Sequence, residues 1–432
     1  MGALASLAKN HNMPALAVTD HGNLFGVVQF YSTLKGAGIK PILGYEAYIA
    51  PGSRTDRSGA RGIKDAAHHL TLLAETQKGY DNLRKLASIA YLEGFYYRPR
   101  IDEEVLDRHK EGLIVLSGCA SGELCRKILN GRQEEAEQTA ARYLEMLGRD
   151  HYFIELQDNG LRDQRVCMQG LLEIAKKLDL ETVATNDIHY PKANDAAMHE
   201  VLLCINTGKT LADKDRMQLG TDQFYFKSPE EMAERFGKIP GAIENTVKIA
   251  ERCNVELDFD SRNFPRFAPP EGKSDSEYLD ELCRDGLRRR YGSNPTEAAR
   301  TRLEYELDVI EKMGYSSYFL IVWDLIRDAR QHNVPSGLRG SGAGAMVCYV
   351  LGISDIDPLE HKLLFERFLD PQRREPPDLD IDLCERGREE VMDYVKAKYG
   401  EESTAQIITF GTMAARGAVR DVGRVLGWSV SE

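Results

Sequence analysis

Over roughly its first 255 residues the chain alternates short apolar runs with stretches of helical periodicity. Residues 15–19 read as a buried strand. Residues 23–35 then place Leu24, Val27, Val28, Phe30, Tyr31 and Leu34 at helical spacing, with Gly36 just past the expected end. Further strands are expected at 40–49, 70–73, 113–116, 152–156 and 182–185, and helices at 80–91 and 164–178. Alternation of this kind implies a parallel α/β sheet or barrel.

Beyond it, residues 259–272 hold three prolines and no periodicity, as a linker does. Helices follow at 277–290, 297–312 and 317–331, the last with Ser316 as its expected cap. At roughly 150 residues per domain, 432 residues suggest two or three domains. Apolar residues at 42% and charged ones at 29% exclude disordered, collagenous and low-complexity chains. No apolar run approaches the ~18 residues of a membrane span, and the first nine residues lack the pattern of a secretory signal. Eight cysteines stand singly, with no CxxC pair, which fits reduced thiols in a cytosol. A net charge of −12 excludes a uniformly basic nucleic-acid binder and leaves room for a local basic groove.

Residues of metal-ligating type gather near the expected strand ends. Asp20 and His21 follow the first strand, Glu46 lies in the second, Cys119 follows the strand at 113–116, and Asp187 and His189 follow the one at 182–185. His69 precedes its expected strand. In α/β barrels the C-terminal strand ends converge on one face, so residues far apart in sequence can meet there. Imidazole and thiolate suit zinc, and added carboxylates suit manganese or iron. Taken singly, each of these residues also fits a core or turn position.

In Pro377-Asp378-Leu379-Asp380-Ile381-Asp382-Leu383 polar and apolar residues alternate strictly. On a strand, Asp378, Asp380 and Asp382 would share a face, with Leu379, Ile381 and Leu383 packed behind. Such crowding of like charge calls for cations, and Mg²⁺ shared with substrate phosphates would answer it. A solvated acidic face is the alternative. The Gly-rich run Ser336-Gly337-Leu338-Arg339-Gly340-Ser341-Gly342-Ala343-Gly344 leads into an apolar helix expected at 345–351, whose first N–H groups would attract phosphate. A plain helix connection is its alternative. Arg416, Arg420 and Arg424 form one basic stripe on a helix expected at 412–426, either solvated or facing a nucleic-acid backbone.

Several long motifs resemble the bacterial DNA polymerase III alpha subunits, the C-family replicative polymerases. They are Arg339-Gly340-Ser341-Gly342-Ala343-Gly344, Asp355-Ile356-Asp357-Pro358-Leu359, Leu363-Leu364-Phe365-Glu366-Arg367-Phe368-Leu369, Pro377-Asp378-Leu379-Asp380-Ile381-Asp382 and Thr409-Phe410-Gly411-Thr412-Met413-Ala414-Ala415. Thr19-Asp20-His21-Gly22, Gly38-Ile39-Lys40-Pro41, Ser117-Gly118-Cys119 and Thr185-Asn186-Asp187 resemble the same family's PHP domain.

The resemblance implies an α/β chain: a PHP-type β/α barrel lacking its first strand (1–255), a linker (256–272), the first part of an α+β palm (273–410) and the start of a helical thumb (411–432). It implies two-metal, template-directed DNA synthesis in the cytoplasm on primer-template DNA and dNTPs. Replisome partners would be the proofreading subunit, sliding clamp and clamp loader. Asp378 and Asp380 match the catalytic, Mg²⁺-binding aspartates, with Asp382 in support. Gly340 and Ser341 match the pair that faces the incoming triphosphate, where Arg339 is expected to add a charge-assisted nucleotide contact, and Arg416, Arg420 and Arg424 are the expected DNA contacts. His21, Glu46, His69, Cys119, Asp187 and His189 match PHP metal ligands, for Zn²⁺ or Mn²⁺. The family's opening His-x-His strand and its further palm aspartate have no counterpart here, and Ser336-Gly337-Leu338 stands where Gly-Pro-Gly is usual. The expectation is therefore an incomplete chain, inactive alone, with a partly furnished PHP site. Two other functions remain: a PHP-type phosphoesterase or 3′–5′ exonuclease, and a non-catalytic replisome scaffold.

Overall fold

The computed structural model describes residues 1–58, 66–259, 261, 265–372 and 377–429. The chain divides into two compact units, Met1–Phe259 with Thr412–Glu432, and Asp260–Gly411. Residues 260 and 262–264 of the expected linker, and 430–432 at the end of the expected thumb segment, lie outside the described residues.

The first unit is built on a seven-stranded sheet: β1 (Ala15–His21), β2 (Lys40–Ile49), β3 (His68–Ala74), β4 (Arg100–Ile101), β5 (Leu113–Leu116), β6 (Tyr152–Leu156) and β7 (Thr182–Ala184). The strand order is β1-β2-β3-β5-β6-β7, with β4 beside the far end of β2. Leu43, Tyr45, Ala47, Leu70, Leu72, Val115 and Ile154 are buried between the sheet and its covering helices.

The expectation of a parallel sheet needs one correction. β3 runs antiparallel to both β2 and β5, while the remaining pairs are parallel. An apolar run reports burial on both faces, which a central antiparallel strand also has, and carries no direction. β3 also starts earlier than the apolar run. His68 and His69 pair with Ile49 and Tyr48, so His69 lies on the strand rather than before it. The first expected helix is shifted as well. It spans Val27–Ala37, and its left-handed cap is Gly38, at φ 75°, while Gly36 lies inside the helix.

The second unit packs three helices, Asp275–Tyr291, Glu297–Lys312 and Ser316–Gln331, around the short helix Met346–Val350. Ser274 and Glu277 form a reciprocal cap on the first of them. Ser316 is not the cap expected of it. It is the first helical residue and is buried, and Tyr315 precedes it without a side-chain capping bond. An antiparallel pair, β8 (Ser336–Arg339) and β9 (Asp380–Leu383), completes the unit.

Candidate functional site

Register alone brings the first group together. His21 of β1 lies opposite Glu46 of β2. Glu46 lies opposite Thr71 of β3, and His69 is two residues from Thr71 on the same face. The donor atoms of His21, Glu46 and His69 fall within 4.8 Å of one another. Cys119, three residues past β5, adds its Sγ 3.3 Å from Glu46 Oε1 and 3.5 Å from His69 Nδ1. Metal–ligand bonds of ~2.1 Å in a tetrahedron give edges of about 3.4 Å, so His21, Glu46 and His69 are near enough to share one divalent ion, with Cys119 beside two of them. Asp187 and His189 pair with each other at 3.2 Å, and the His189 ring lies 6.1 Å from that of His21. Asp20 does not join them. It alternates to the opposite face of β1, where its carboxylate accepts a hydrogen bond from the Gly26 backbone.

Electrostatics ties the group together. Burial pushes the Glu46 carboxyl up, but the His69 hydrogen bond, the His69 and His21 charges and the Cys119 thiol outweigh it and hold the group below its ordinary value. Burial, with the charges of Glu46 and Asp187, pushes the Cys119 thiol well up. Burial lowers His189, but the hydrogen bond and charge of Asp187 win, so the imidazole is raised overall.

Sequence reasoning missed two neighbours. Glu155 on β6 is buried. It accepts hydrogen bonds from Thr71 Oγ1 (2.9 Å), Thr185 Oγ1 (2.6 Å), Gly118 N (3.1 Å) and Gln157 Nε2 (3.2 Å). Burial pushes it up to about 7. A lone carboxylate inside the apolar run Tyr152–Leu156 was the available signal. His199 packs its ring 5.5 Å from His189 and helps line a cavity of about 450 Å³ with Tyr190, Glu200, Gln218 and Asp222. Nothing in its local sequence marks it.

In the second unit the alternation is realised. Leu379 is buried and Ile381 and Leu383 are half-buried, while Asp378, Asp380 and Asp382 are exposed. Asp380 and Asp382 lie on β9, and Asp378 sits just before it. Arg339, opposite Asp380 in the register, donates from Nε to Asp382 at 3.0 Å. Among the described residues Asp378 and Asp380 have no ion pair. Gly340, at φ 79°, stands against Asp380: a Cβ there would lie 3.3 Å from Asp380 Oδ2. Ser341 follows it in the loop.

The expected phosphate site at the next helix start is not open. The N–H groups of Met346 and Val347 donate at 2.9 Å each to Glu306, a buried carboxylate from the helix Glu297–Lys312. Sequence could not show this, because the acceptor lies forty residues upstream.

Arg416, Arg420 and Arg424 all lie exposed on the helix Ala414–Val425, at the i, i+4, i+8 spacing of one face. That helix belongs to the first unit, where Leu211 N donates to Val425 O at 3.1 Å.

Two family descriptions match the chain: the PHP domain over residues 1–159, and the bacterial DNA polymerase III alpha NTPase domain over residues 277–432. The DNA polymerase III subunit alpha of Treponema pallidum is 47% identical over 431 residues, covering 99% of this chain and 37% of that protein. The protein of the same name from Borreliella burgdorferi is 46% identical, covering 98% of this chain and 37% of the relative. That of Thermus aquaticus is 44% identical, covering 96% and 39%. The chain thus spans somewhat over a third of the length of these curated relatives. With both domains matched in order and close identity along nearly its whole length, the chain belongs to the bacterial DNA polymerase III alpha family.

Proposed function

We propose that the second unit serves template-directed nucleotidyl transfer, with Asp378 and Asp380 as its metal-holding carboxylates. The observation that carries this reading is Gly340 set against Asp380, which brings a backbone able to approach phosphate beside a carboxylate that makes no ion pair among the described residues. Oxygen donors on a strand suit Mg²⁺. Bound there, Mg²⁺ supplies the charge that activates a primer 3′-hydroxyl and steadies the pyrophosphate leaving group. Asp382 is neutralised by Arg339 and plays a supporting part. Gly340 and Ser341 offer backbone and hydroxyl donors to the triphosphate, and Arg339 keeps a fixed positive charge close to Asp380.

Primer-template DNA and dNTPs are the substrates in this reading. Arg416, Arg420 and Arg424 meet DNA phosphates, which position the duplex without reading bases. The proofreading subunit, sliding clamp and clamp loader are the partners, in the cytoplasm. No helix among the described residues is long and apolar enough to cross a membrane.

A second activity is favoured by the first unit's cluster. His21, Glu46 and His69, with Cys119, Asp187 and His189 alongside, would hold Zn²⁺ or Mn²⁺, next to the cavity lined by His199. Metal-dependent phosphoester hydrolysis, of a small ester or of a nucleic-acid 3′ end, is the chemistry this donor set supports.

Primer extension tests the first reading in a chimaera where this chain replaces the matching stretch of the Treponema pallidum relative. Asp378→Asn and Asp380→Asn should each reduce extension to background while DNA binding persists, and Asp382→Asn should be milder. Wild-type extension rates in both of the first two variants would remove the active site from β9.

A further inference from the structure

Arg302 and Glu306 sit one turn apart on the helix Glu297–Lys312. Glu306 is 0% exposed. Its Oε1 accepts from Arg302 Nε at 2.6 Å and from Met346 N at 2.9 Å, and its Oε2 accepts from Val347 N at 2.9 Å. Arg302 Nη2 donates to Gly344 O at 2.9 Å and to Leu363 O at 3.3 Å. Beyond their mutual pair, all these bonds end where the chain leaves the glycine loop, or on the segment against which that exit packs.

The loop is closely fitted from there to the carboxylates. A Cβ on Gly344 would come within 2.8 Å of Leu364 O, and one on Gly342 within 2.5 Å of Leu379 Cδ2. Leu379 lies between Asp378 and Asp380, and Gly340 stands against Asp380 itself. Contact therefore runs unbroken from Glu306 to the acidic strand.

Helix capping alone does not call for this arrangement. The first N–H groups of a helix need acceptors, and a local Ser, Thr or Asp ordinarily supplies one. Ala345 occupies the N-cap position in extended geometry and offers no side-chain acceptor. The acceptor comes from another helix instead. A buried charge costs stability that apolar packing would not, and what it adds over a local cap is a fixed position for the loop.

We infer that Arg302 and Glu306 are positioning residues, which set the glycine loop at its distance from Asp380 and thereby tune nucleotide affinity there. The inference rests on the nucleotide-binding reading of that loop.

The test separates a tether from a cap. Binding of Mg²⁺·dATP and amide exchange over residues 340–347 are measured in the whole chain, in Glu306→Ala, and in Glu306→Ala with Ala345→Ser, which restores a local cap. Glu306→Ala should expose the amides of 346 and 347 and weaken dATP binding roughly tenfold. The double variant should protect those two amides again while the loop amides at 340–344 stay fast and dATP binding stays weak. Full recovery of dATP affinity in the double variant would overturn the inference, as would wild-type affinity in Glu306→Ala. If Glu306→Ala fails to fold, Glu306→Gln, which keeps one acceptor oxygen, should show the same pattern at intermediate size, and wild-type affinity there would overturn it equally. Should the unmodified chain bind no dATP, the nucleotide reading falls. The tether is then judged by exchange at 340–344 alone: still raised in the double variant if the pair holds the loop, and wild-type if it only caps.

Discussion

His21 on β1 faces Glu46 on β2 across one rung of the sheet, with Nδ1 3.3 Å from Oε2. The pair is made by strand register, and it forms one edge of the cluster of His21, Glu46 and His69. Beside it, burial and the charges of Glu46 and Asp187 push the Cys119 thiol well up, and against burial the Asp187 hydrogen bond and charge push the neighbouring His189 imidazole up.

A metal entering the cluster must displace the protons its ligands carry. Zinc affinity should therefore rise with pH, with net proton release on binding. Titration calorimetry in two buffers of different ionisation enthalpy reads that release directly. His69→Ala should weaken binding, and Cys119→Ser should reduce the proton release. Affinity independent of pH would remove the thiol and imidazole from the donor set.

Glu155 makes stability depend on pH in the opposite sense from a salt-bridged carboxylate. Its ordinary value of 4.5 is raised to about 7 by burial. Between these values the folded state binds the proton and the unfolded state does not. Its contribution is fully present below pH 4.5 and is lost as pH rises through about 7. The full loss is about 3 kcal/mol. Urea unfolding of metal-free protein should show this decline in wild type and a smaller one in Glu155→Gln. Equal declines in the two proteins would contradict it.

Asp324 holds the helix Ser316–Gln331 to the helix Arg388–Tyr399, which follows β9. It is 0% exposed and accepts from Arg327, Tyr394, Lys398 and Tyr399 at 2.6–2.9 Å. Burial would raise its carboxyl, but the Lys398 and tyrosine hydrogen bonds overcome this and hold it low. Asp324→Ala strands these donors, and the expected cost is about 3 kcal/mol. Lys398→Met leaves both tyrosine bonds and should cost less. The comparison is made by denaturant unfolding, and a neutral Asp324→Ala would show the network to be dispensable.

Local pattern carried much of this fold into the sequence. β2, β6 and the helix Glu297–Lys312 have the bounds that periodicity predicts, because each buries a regular apolar face against the core. The alternation from Asp378 to Leu383 likewise told which side chains share a face. What stayed hidden depends on pairing across the chain. The direction of β3 is set by its neighbours, not its composition. The part played by Glu306 depends on Met346 and Val347, forty and forty-one residues downstream, donating to it. The β8–β9 register sets Arg339 opposite Asp380, and its side chain reaches diagonally to Asp382, a pairing that local sequence does not show. The histidines of the cluster showed their residue types in sequence, and only the sheet register showed that they meet.

Gly340 offers the sharpest test of the acidic strand as a metal-holding surface. Its φ of 79° is left-handed, where any Cβ is strained, and a Cβ built there would press on Asp380 Oδ2 at 3.3 Å. That distance is tighter than ordinary contact, so either the loop or the carboxylate must yield. Strain alone would cost about 1 kcal/mol and would appear in unfolding. Displacing the carboxylate would appear instead in cation affinity, read by electron paramagnetic resonance with Mn²⁺ standing in for Mg²⁺. Gly337, on the adjoining strand, has nothing within 4 Å of its Cβ position and serves as the control. Gly340→Ala should weaken Mn²⁺ binding several-fold, and Gly337→Ala should leave it unchanged. If Asp380→Asn abolishes Mn²⁺ binding while Gly340→Ala does not alter it, the loop yields rather than the carboxylate, and Gly340 serves the approach of phosphate without shaping the metal site. If neither variant changes Mn²⁺ binding, the cation is held away from β9.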